Sequence, residues 1–195
     1  MRTSLFLFLM PAFVVAQEHP FLGAYTVAEV DGGVRIQWTI VGGNTCDGQG
    51  VQRSLDGVHF ADVHTIAGLC GHPSVDVQYN WLDATPPELQ RVYYRVRMGF
   101  EDYSSVKSVD ISRLITTEQR VFPSPAKEHI TLLLNVPSYS TMELQVFAAD
   151  GSLVRTYTGI PAQRTEIDLL GLASGVYTYT ALVDGRTFTG RFVKG

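Results

Sequence analysis

The chain has 195 residues, of which 17% are charged, and its formal net charge is −4. Its 45% hydrophobic content allows it to bury a core, so a disordered chain is excluded. No run rich in lysine and arginine occurs, and the electrostatic footprint of a nucleic-acid-binding protein is therefore missing.

The first residues follow the three-part plan of a secretory signal peptide. A basic residue precedes an apolar run over residues 5–15, and small residues lead up to Ala16. The run is shorter than the about 20 apolar residues of a membrane-spanning helix, and Pro11 interrupts it. We predict a signal peptide over residues 1–16, cut between Ala16 and Gln17, that uses the Sec translocon to reach the periplasm.

Period-two alternation dominates the chain after this segment. Apolar and polar residues alternate over residues 34–40, 92–98 and 177–183, as expected for strands that bury one face, and no long stretch keeps a helical period. Four Asp-Gly pairs favour two-residue hairpins, whose central positions adopt positive φ. These pairs are Asp31-Gly32, Asp56-Gly57, Asp150-Gly151 and Asp184-Gly185. We predict an all-β fold of packed antiparallel sheets.

A boundary is predicted near residues 113–122, where the strand pattern ends and a polar stretch leads to two prolines. Pro123 and Pro125 cannot sit in a central strand, and they are interpreted as stiffening the connection and blocking strand pairing across it. The prediction is two small β-sandwiches in tandem after the signal peptide. Their ranges are 22–112 and 121–195, with a linker over 113–120.

The first half carries four features of a known module. Trp38 is predicted in an early strand, and residues 51–60 contain the hairpin pattern Arg53-Ser54-Leu55-Asp56-Gly57-Val58-His59-Phe60. Tyr79-Asn80-Trp81-Leu82-Asp83 follows, and Val92-Tyr93-Tyr94-Arg95-Val96 is predicted as a late strand. With these features residues 22–112 resemble a fibronectin type III-like module. The resemblance implies that Trp38 fills the space between two sheets, and that Tyr93 or Tyr94 packs near a corner with its hydroxyl bonded to backbone.

Cys46 and Cys70 lie in two irregular, glycine-rich segments of this half. An even number of cysteines in an exported protein favours a disulfide, and we predict a Cys46–Cys70 bridge that ties two loops at one end of the sandwich. The loops are interpreted either as a binding surface or as connections that the bridge merely rigidifies. The second interpretation is favoured.

The second half carries an ordered series of short motifs. It begins with Val121-Phe122-Pro123-Ser124-Pro125, continues with Asp150-Gly151 and Leu172-Ala173-Ser174-Gly175-Val176-Tyr177, and ends in a strand that reaches Lys194. In this order, behind a signal peptide, the motifs resemble a type A C-terminal sorting domain of the type IX secretion system over residues 120–195. The resemblance implies partners in the type IX translocon and its sortase, and delivery to the cell surface or the medium.

The motif residues also have structural interpretations. Asp150-Gly151 is predicted to make a turn, and Tyr177 to bury a large ring with a polar tip. Gly175 is predicted to allow a backbone conformation that a side chain would oppose.

Motifs for chemistry are missing from the sequence. It contains no nucleophile elbow, phosphate-binding glycine loop or zinc-protease helix motif. Structural zinc usually has closely paired ligands, and calcium needs a denser acidic loop than this chain offers. The residues weighed for zinc are Cys46, His64, Cys70 and His72, and those for calcium are Asp47, Asp56, Asp62 and Asp76. We predict no catalytic residue, no cofactor and no metal.

Aromatic residues of the first half are candidates for a surface on which sugars or peptides could stack. They are Tyr25, Tyr79, Trp81, Tyr93, Tyr94 and Tyr103. Alternation assigns Tyr79 and Trp81 to the core, which leaves Tyr93 and Tyr103 as exposed candidates.

The sequence therefore predicts an exported, non-catalytic protein whose first sandwich binds a glycan or a protein. Two other functions stay open. One is a structural spacer without a ligand, and the other is a small secreted hydrolase, which a histidine beside a serine or cysteine nucleophile would support.

Overall fold

The computed structural model describes residues 19–42, 44–70, 75–99 and 102–195, without the side chains of 44, 45, 69 and 70. The predicted signal peptide and its cleavage site at Ala16 and Gln17 lie outside the described residues, as does His72. Regular structure in the described residues is all β, as predicted. No described helix is long and apolar enough to cross a membrane.

Two facing sheets make up the first half. Its strands are β1 (Leu22–Val30), β2 (Gly33–Ile40), β3 (Asn44–Thr45), β4 (Gln49–Ser54), β5 (Ala61–Ile66), β6 (Leu69–Cys70), β7 (Val77–Asp83), β8 (Arg91–Met98), β9 (Asp102–Tyr103) and β10 (Lys107–Asp110). One sheet has the order β1-β2-β7, and the other has the order β10-β8-β4-β5 with β9 beside β8. The strands of this half pair antiparallel wherever the structure describes them.

The core between these sheets follows the predicted alternation. Ile36 and Trp38 of β2 are buried in one cluster with Val92 and Val96 of β8. Trp38 is 2% exposed, and its indole N–H donates to the buried Gln49 side chain at 2.6 Å. The prediction that Trp38 fills the space between the sheets is confirmed.

The tyrosine hydroxyl expected at the backbone has a different partner. Tyr94 is fully buried, and its hydroxyl donates to the Asp83 carboxylate at 2.8 Å, so the predicted backbone bond is wrong. Arg53 donates to the same carboxylate oxygen at 2.8 Å, which compensates the buried charge. Burial, reinforced by the bond to Asp83, raises the pKa of Tyr94. The phenol therefore stays protonated and acts as a donor that joins the two sheets.

The four Asp-Gly pairs divide into two kinds of connection. Asp31-Gly32 and Asp184-Gly185 are two-residue hairpin loops, as predicted, because Val30 pairs with Gly33 and Val183 pairs with Arg186. The other two predictions are wrong, since residues 55–60 and 149–152 form longer connections. In these longer loops the aspartate side chain accepts bonds from nearby backbone N–H groups and replaces the missing strand pairing.

The second half is another pair of facing antiparallel sheets. Its strands are β11 (Gln119–Phe122), β12 (His129–Leu134), β13 (Thr141–Ala148), β14 (Leu153–Pro161), β15 (Arg164–Asp168), β16 (Gly175–Val183) and β17 (Arg186–Lys194). The sheet orders are β11-β12-β15 and β14-β13-β16-β17. Leu132 and Ile167 from the first of them share one buried cluster with Leu144 and Phe192 from the second. This core shares no residue with the core of the first half.

The two prolines lie inside the second sandwich rather than ahead of it. β11 already pairs with β12 before Pro123, and Ala126 bonds to β17 just after Pro125. The interpretation of Pro123 and Pro125 as a linker is therefore wrong. They form the connection between β11 and β12, where no ladder hydrogen bond is required of them.

Carboxylates of the first sandwich hold the segment between the two cores. The Glu88 carboxylate accepts the backbone N–H groups of Ile115, Thr116 and Thr117 at 2.6–3.0 Å. From the other side, the Asn135 side chain donates to the carbonyl of Ile115 at 2.7 Å. Although burial raises the pKa of Glu88, its three backbone donors outweigh that effect and lower the pKa to about 2.

The cysteine segments meet as a small two-stranded sheet. Asn44 of β3 pairs with Cys70 of β6, so Cys46 follows closely after the residue opposite Cys70. A side chain at Gly68 would overlap the carbonyl of Cys46, so glycine allows the two segments to approach each other. This proximity supports the predicted bridge, which stays a prediction because the side chain of Cys70 lies outside the described residues.

Glu88→Gln is expected to loosen residues 115–117. Its amide keeps one acceptor oxygen but loses the charge, so we expect faster hydrogen exchange at these three backbone amides and a loss of about 1 kcal/mol in unfolding free energy. Since the lowered pKa of Glu88 stabilises the fold above about pH 4.5, this contribution should disappear as the pH falls towards 2. Exchange measured by mass spectrometry checks the first effect, and thermal unfolding against pH checks the second.

The matched control for this experiment is Glu143→Gln. Glu143 is exposed on β13, and its side chain makes no hydrogen bond among those found in the described residues. It should leave exchange at 115–117 unchanged, and equal exchange in both variants would contradict the clamp.

The predicted disulfide is tested on unreduced protein. We expect peptides containing Cys46 and Cys70 to run as one species that a thiol reductant separates. The Cys46→Ser, Cys70→Ser double variant should lose about 3 kcal/mol of stability, because the bridge restricts the unfolded chain. Two titratable thiols in the native, unreduced protein would contradict the bridge.

Candidate functional site

The predicted motif residues of the second sandwich are spread over several strands and do not form one site. Asp150 and Gly151 lie in the β13–β14 connection, where the Asp150 carboxylate accepts the backbone N–H of Ser152 at 2.9 Å. Tyr177 is 5% exposed, as predicted, and its hydroxyl donates to the carbonyl of Ala173 at 2.7 Å. Lys194 ends β17. These residues shape the fold and have no arrangement for chemistry.

The structural reason given for Gly175 is wrong. Gly175 begins β16 without a positive φ, and a Cβ added there meets open space. The residue that needs the left-handed conformation is Gly171, at φ 77°, in the turn before this strand. The motif therefore marks a strand start at Gly175 and not a strained backbone.

Strand β17 is held along its outer edge by the beginning of the same sandwich. The backbone of Ala126 donates to Val193 at 2.9 Å and accepts from Gly195 at 2.8 Å. Further along, the Gln119 side chain donates to the carbonyl of Thr189 at 2.8 Å. These bonds occupy part of an edge that would otherwise offer free backbone groups to other chains.

Gly190 allows a ring to cross this last strand. Tyr179 lies opposite Gly190 on β16, and any side chain at Gly190 would overlap the tyrosine ring. The Tyr179 hydroxyl then reaches Gln119 and donates to its side-chain oxygen at 3.1 Å. β11, β16 and β17 are thus joined through one tyrosine and one glutamine, a contact that the sequence analysis did not find.

His59 lies in a cluster with a serine and an aspartate, but in an order that does not match a hydrolase triad. The His59 ring bonds to Asp56 at 2.7 Å, and the Ser54 hydroxyl donates to Asp56 as well, so the carboxylate lies between serine and histidine. The hydrogen bond to Asp56 raises the pKa of His59, and the bond from His59 lowers that of Asp56. With this order the histidine cannot take a proton from Ser54, and the cluster organises the β4–β5 connection.

The candidate metal ligands that the structure describes do not form a metal site. No group of three or more potential ligands gathers among the described residues. Instead, His64 stacks on Trp81, with ring centroids 4.8 Å apart, and Asp62 accepts a bond from Gln52. Cys70 and His72 cannot be placed in this comparison, since their side chains lie outside the described residues.

The outer face of the β4–β8 sheet carries a polar group centred on Arg95. Arg95 points away from the core, and its Cζ lies 4.2 Å from the ring centre of Phe60 and 3.9 Å from that of Tyr103. Its Nε donates to the side-chain oxygen of Gln52 at 2.7 Å. Tyr103 is 37% exposed, so one of the two predicted exposed aromatics does flank this group.

Arg95 was not predicted from the sequence as the centre of this face. Its position in the Val92–Met98 alternation marks it as outward, but Phe60 lies 35 residues earlier in another loop. Alternation gives the side of a sheet on which a residue lies, and not the rings that come to it from other strands. The sequence signal that could have identified this group is an arginine in a late strand together with aromatic residues in the neighbouring hairpins.

The comparisons with known proteins separate the two halves. Residues 120–195 match the family model described as a secretion system C-terminal sorting domain. No curated protein matches the chain. The match begins one residue after the start of β11 and includes β12 to β17.

Solved structures of low similarity cover both halves. The BSP domain of a biofilm-associated protein is 17% identical over 90% of this chain, with a TM-score of 0.33. The FN1–FN3 domains of chicken CNTN1 are 13% identical over 87% of it, with a TM-score of 0.31. A two-domain fibronectin type III segment of chicken tenascin is 12% identical over 89%, also with a TM-score of 0.31. The chain spans 30%, 66% and 99% of these structures, respectively.

The family match supplies the role that the geometry of the second sandwich leaves open. Its motif residues make turns and a core, and bonds to Ala126 and Gln119 occupy part of the edge of β17. Such a domain implies interaction with the type IX machinery and export to the cell surface or the medium. Residues 120–195 are a C-terminal sorting domain of the type IX secretion system.

Proposed function

We propose that this chain is an exported, non-catalytic protein whose first β-sandwich binds a ligand at the cell surface or in the medium. The single observation that carries the export half is the sorting-domain match over residues 120–195. In this proposal residues 1–16 direct the chain through the Sec translocon, and residues 120–195 then engage the type IX translocon and its sortase.

The binding half rests on how the first sandwich uses its polar groups. Inside, Asp83 is satisfied by Arg53, Tyr94 and the backbone of Thr85. Outside, the ordered Arg95 group is supported by two rings and by Gln52 but makes no ion pair among the described residues. An ordered, unneutralised cation on a rigid sheet favours a binding module over a spacer, because a spacer needs no such group.

The export proposal is tested by fusing residues 113–195 behind a signal peptide and a reporter in a host with the type IX system. We expect the reporter at the surface or in the medium, and we expect it to stay inside when residues 188–195 are deleted. Phe188 is buried and Thr189 is exposed, so Phe188→Ala should reduce delivery strongly while Thr189→Ala should not. Delivery that survives the deletion would contradict the proposal.

The binding proposal is tested with residues 17–195 on an array of glycans and extracellular matrix proteins. We expect saturable binding to at least one class of ligand. The matched control is the same chain heated beyond unfolding and spotted at equal concentration. No binding at high protein concentration would contradict the binding role and favour a spacer.

A further inference from the structure

We propose that Arg95, with Phe60 and Tyr103, binds the carboxylate of an acidic sugar, such as a hexuronate in a polysaccharide. This inference rests on the binding role proposed for the first sandwich and names the chemistry of its ligand. It concerns the outer face formed by β4, β8 and β9, away from both cores.

The guanidinium of Arg95 is held in place before any ligand arrives. Its Nε donates to Gln52, which is 8% exposed, and the amide of Gln52 donates in turn to Asp62 at 3.1 Å. The rings of Phe60 and Tyr103 contact the guanidinium at 4.2 and 3.9 Å from its Cζ. Together these contacts fix a flexible side chain, so a ligand would lose little binding energy to ordering it.

The charge of Arg95 differs from that of its neighbours on the same face. Arg91 is neutralised by two hydrogen bonds to Asp110, and Arg97 lies 3.6 Å from Asp62. Among the described residues Arg95 has no carboxylate within ion-pair distance, since Asp102 pairs with His19 at 3.7 Å instead. Arg95 is therefore the arginine of β8 whose charge no carboxylate of a described residue compensates in an ion pair.

The remaining donors of Arg95 suit a carboxylate. With Nε bonded to Gln52, the N–H groups of both terminal nitrogens make no hydrogen bond to a described residue. These two nitrogens form the planar fork that receives the two oxygens of a carboxylate in a bidentate pair.

The setting favours a sugar over a peptide. Arg95 lies on β8, and both β8 and its neighbour β4 are paired on either side, so an extended peptide could not add main-chain hydrogen bonds to these two strands. Tyr103 keeps part of its ring exposed beside the guanidinium, where the C–H face of a sugar can pack.

The test is calorimetric titration of residues 17–195 with a tetramer of galacturonic acid at low salt. The methyl-esterified tetramer and a tetraglutamate peptide are the comparison ligands. We expect saturable binding of the acid and at least roughly tenfold weaker binding of the other two, because only the acid offers both a carboxylate and a sugar ring. Equal binding of the ester, or of tetraglutamate, would overturn the assignment.

Variants on one strand identify the residue. Arg95→Gln should weaken binding of the acid by roughly tenfold or more, and Arg95→Lys should restore part of it, since lysine keeps the charge but not the fork. Arg91→Gln, on the same face and strand, is the matched control and should bind within about twofold of the native chain, because its charge is already neutralised. Thermal unfolding shows that each variant folds.

Binding by Arg95→Gln that equals the native chain would overturn the inference. If the acidic tetramer fails to bind while the array finds another ligand, this inference falls and the proposed binding function stands. If neither the titration nor the array shows binding, both the carboxylate inference and the proposed binding function are contradicted.

Discussion

Several long strands of the described residues alternate between a buried apolar face and an outer face, and burial of the apolar face against a second sheet is the constraint on which the rest depends. Ile36 and Trp38 in the first half, and Leu144 and Phe192 in the second, are buried because their strands alternate with period two. A shift of one residue in the pairing register would move the apolar side chains of a strand from the core to the solvent face. Register is therefore fixed by the cores, and the outer faces are free to carry other chemistry.

Much of this arrangement is predictable from the sequence because alternation is a local property. It identifies the strands and the burial of Trp38 and Tyr177. It does not identify Asp83 as the partner of the Tyr94 hydroxyl, because that contact joins β7 of one sheet to β8 of the other. The partners of buried polar atoms depend on how the sheets face each other, which no single strand encodes.

An Asp-Gly pair predicted a two-residue hairpin correctly only where the flanking strands stay paired up to that dipeptide. Asp184-Gly185 forms a two-residue hairpin because both flanking strands stay paired up to the loop. Around Asp150 the pairing ends earlier, so the same dipeptide serves a longer connection. Gly190 shows the opposite case, since nothing local explains it until Tyr179 lies across it from the neighbouring strand. The candidate site at Arg95 escaped prediction for the same reason.

The junction between the halves is not part of either apolar core. The two apolar clusters share no residue, and the segment between them is held by hydrogen bonds to Glu88 and from Asn135 together with the packing of Leu114 and Ile115. Water can replace such bonds when the halves separate, whereas a shared apolar core would leave an exposed hydrophobic patch. A sorting domain attached in this way can act on the secretion machinery without contributing to the core of the sandwich that it delivers. The outer face around Arg95 is then determined by the first sandwich alone.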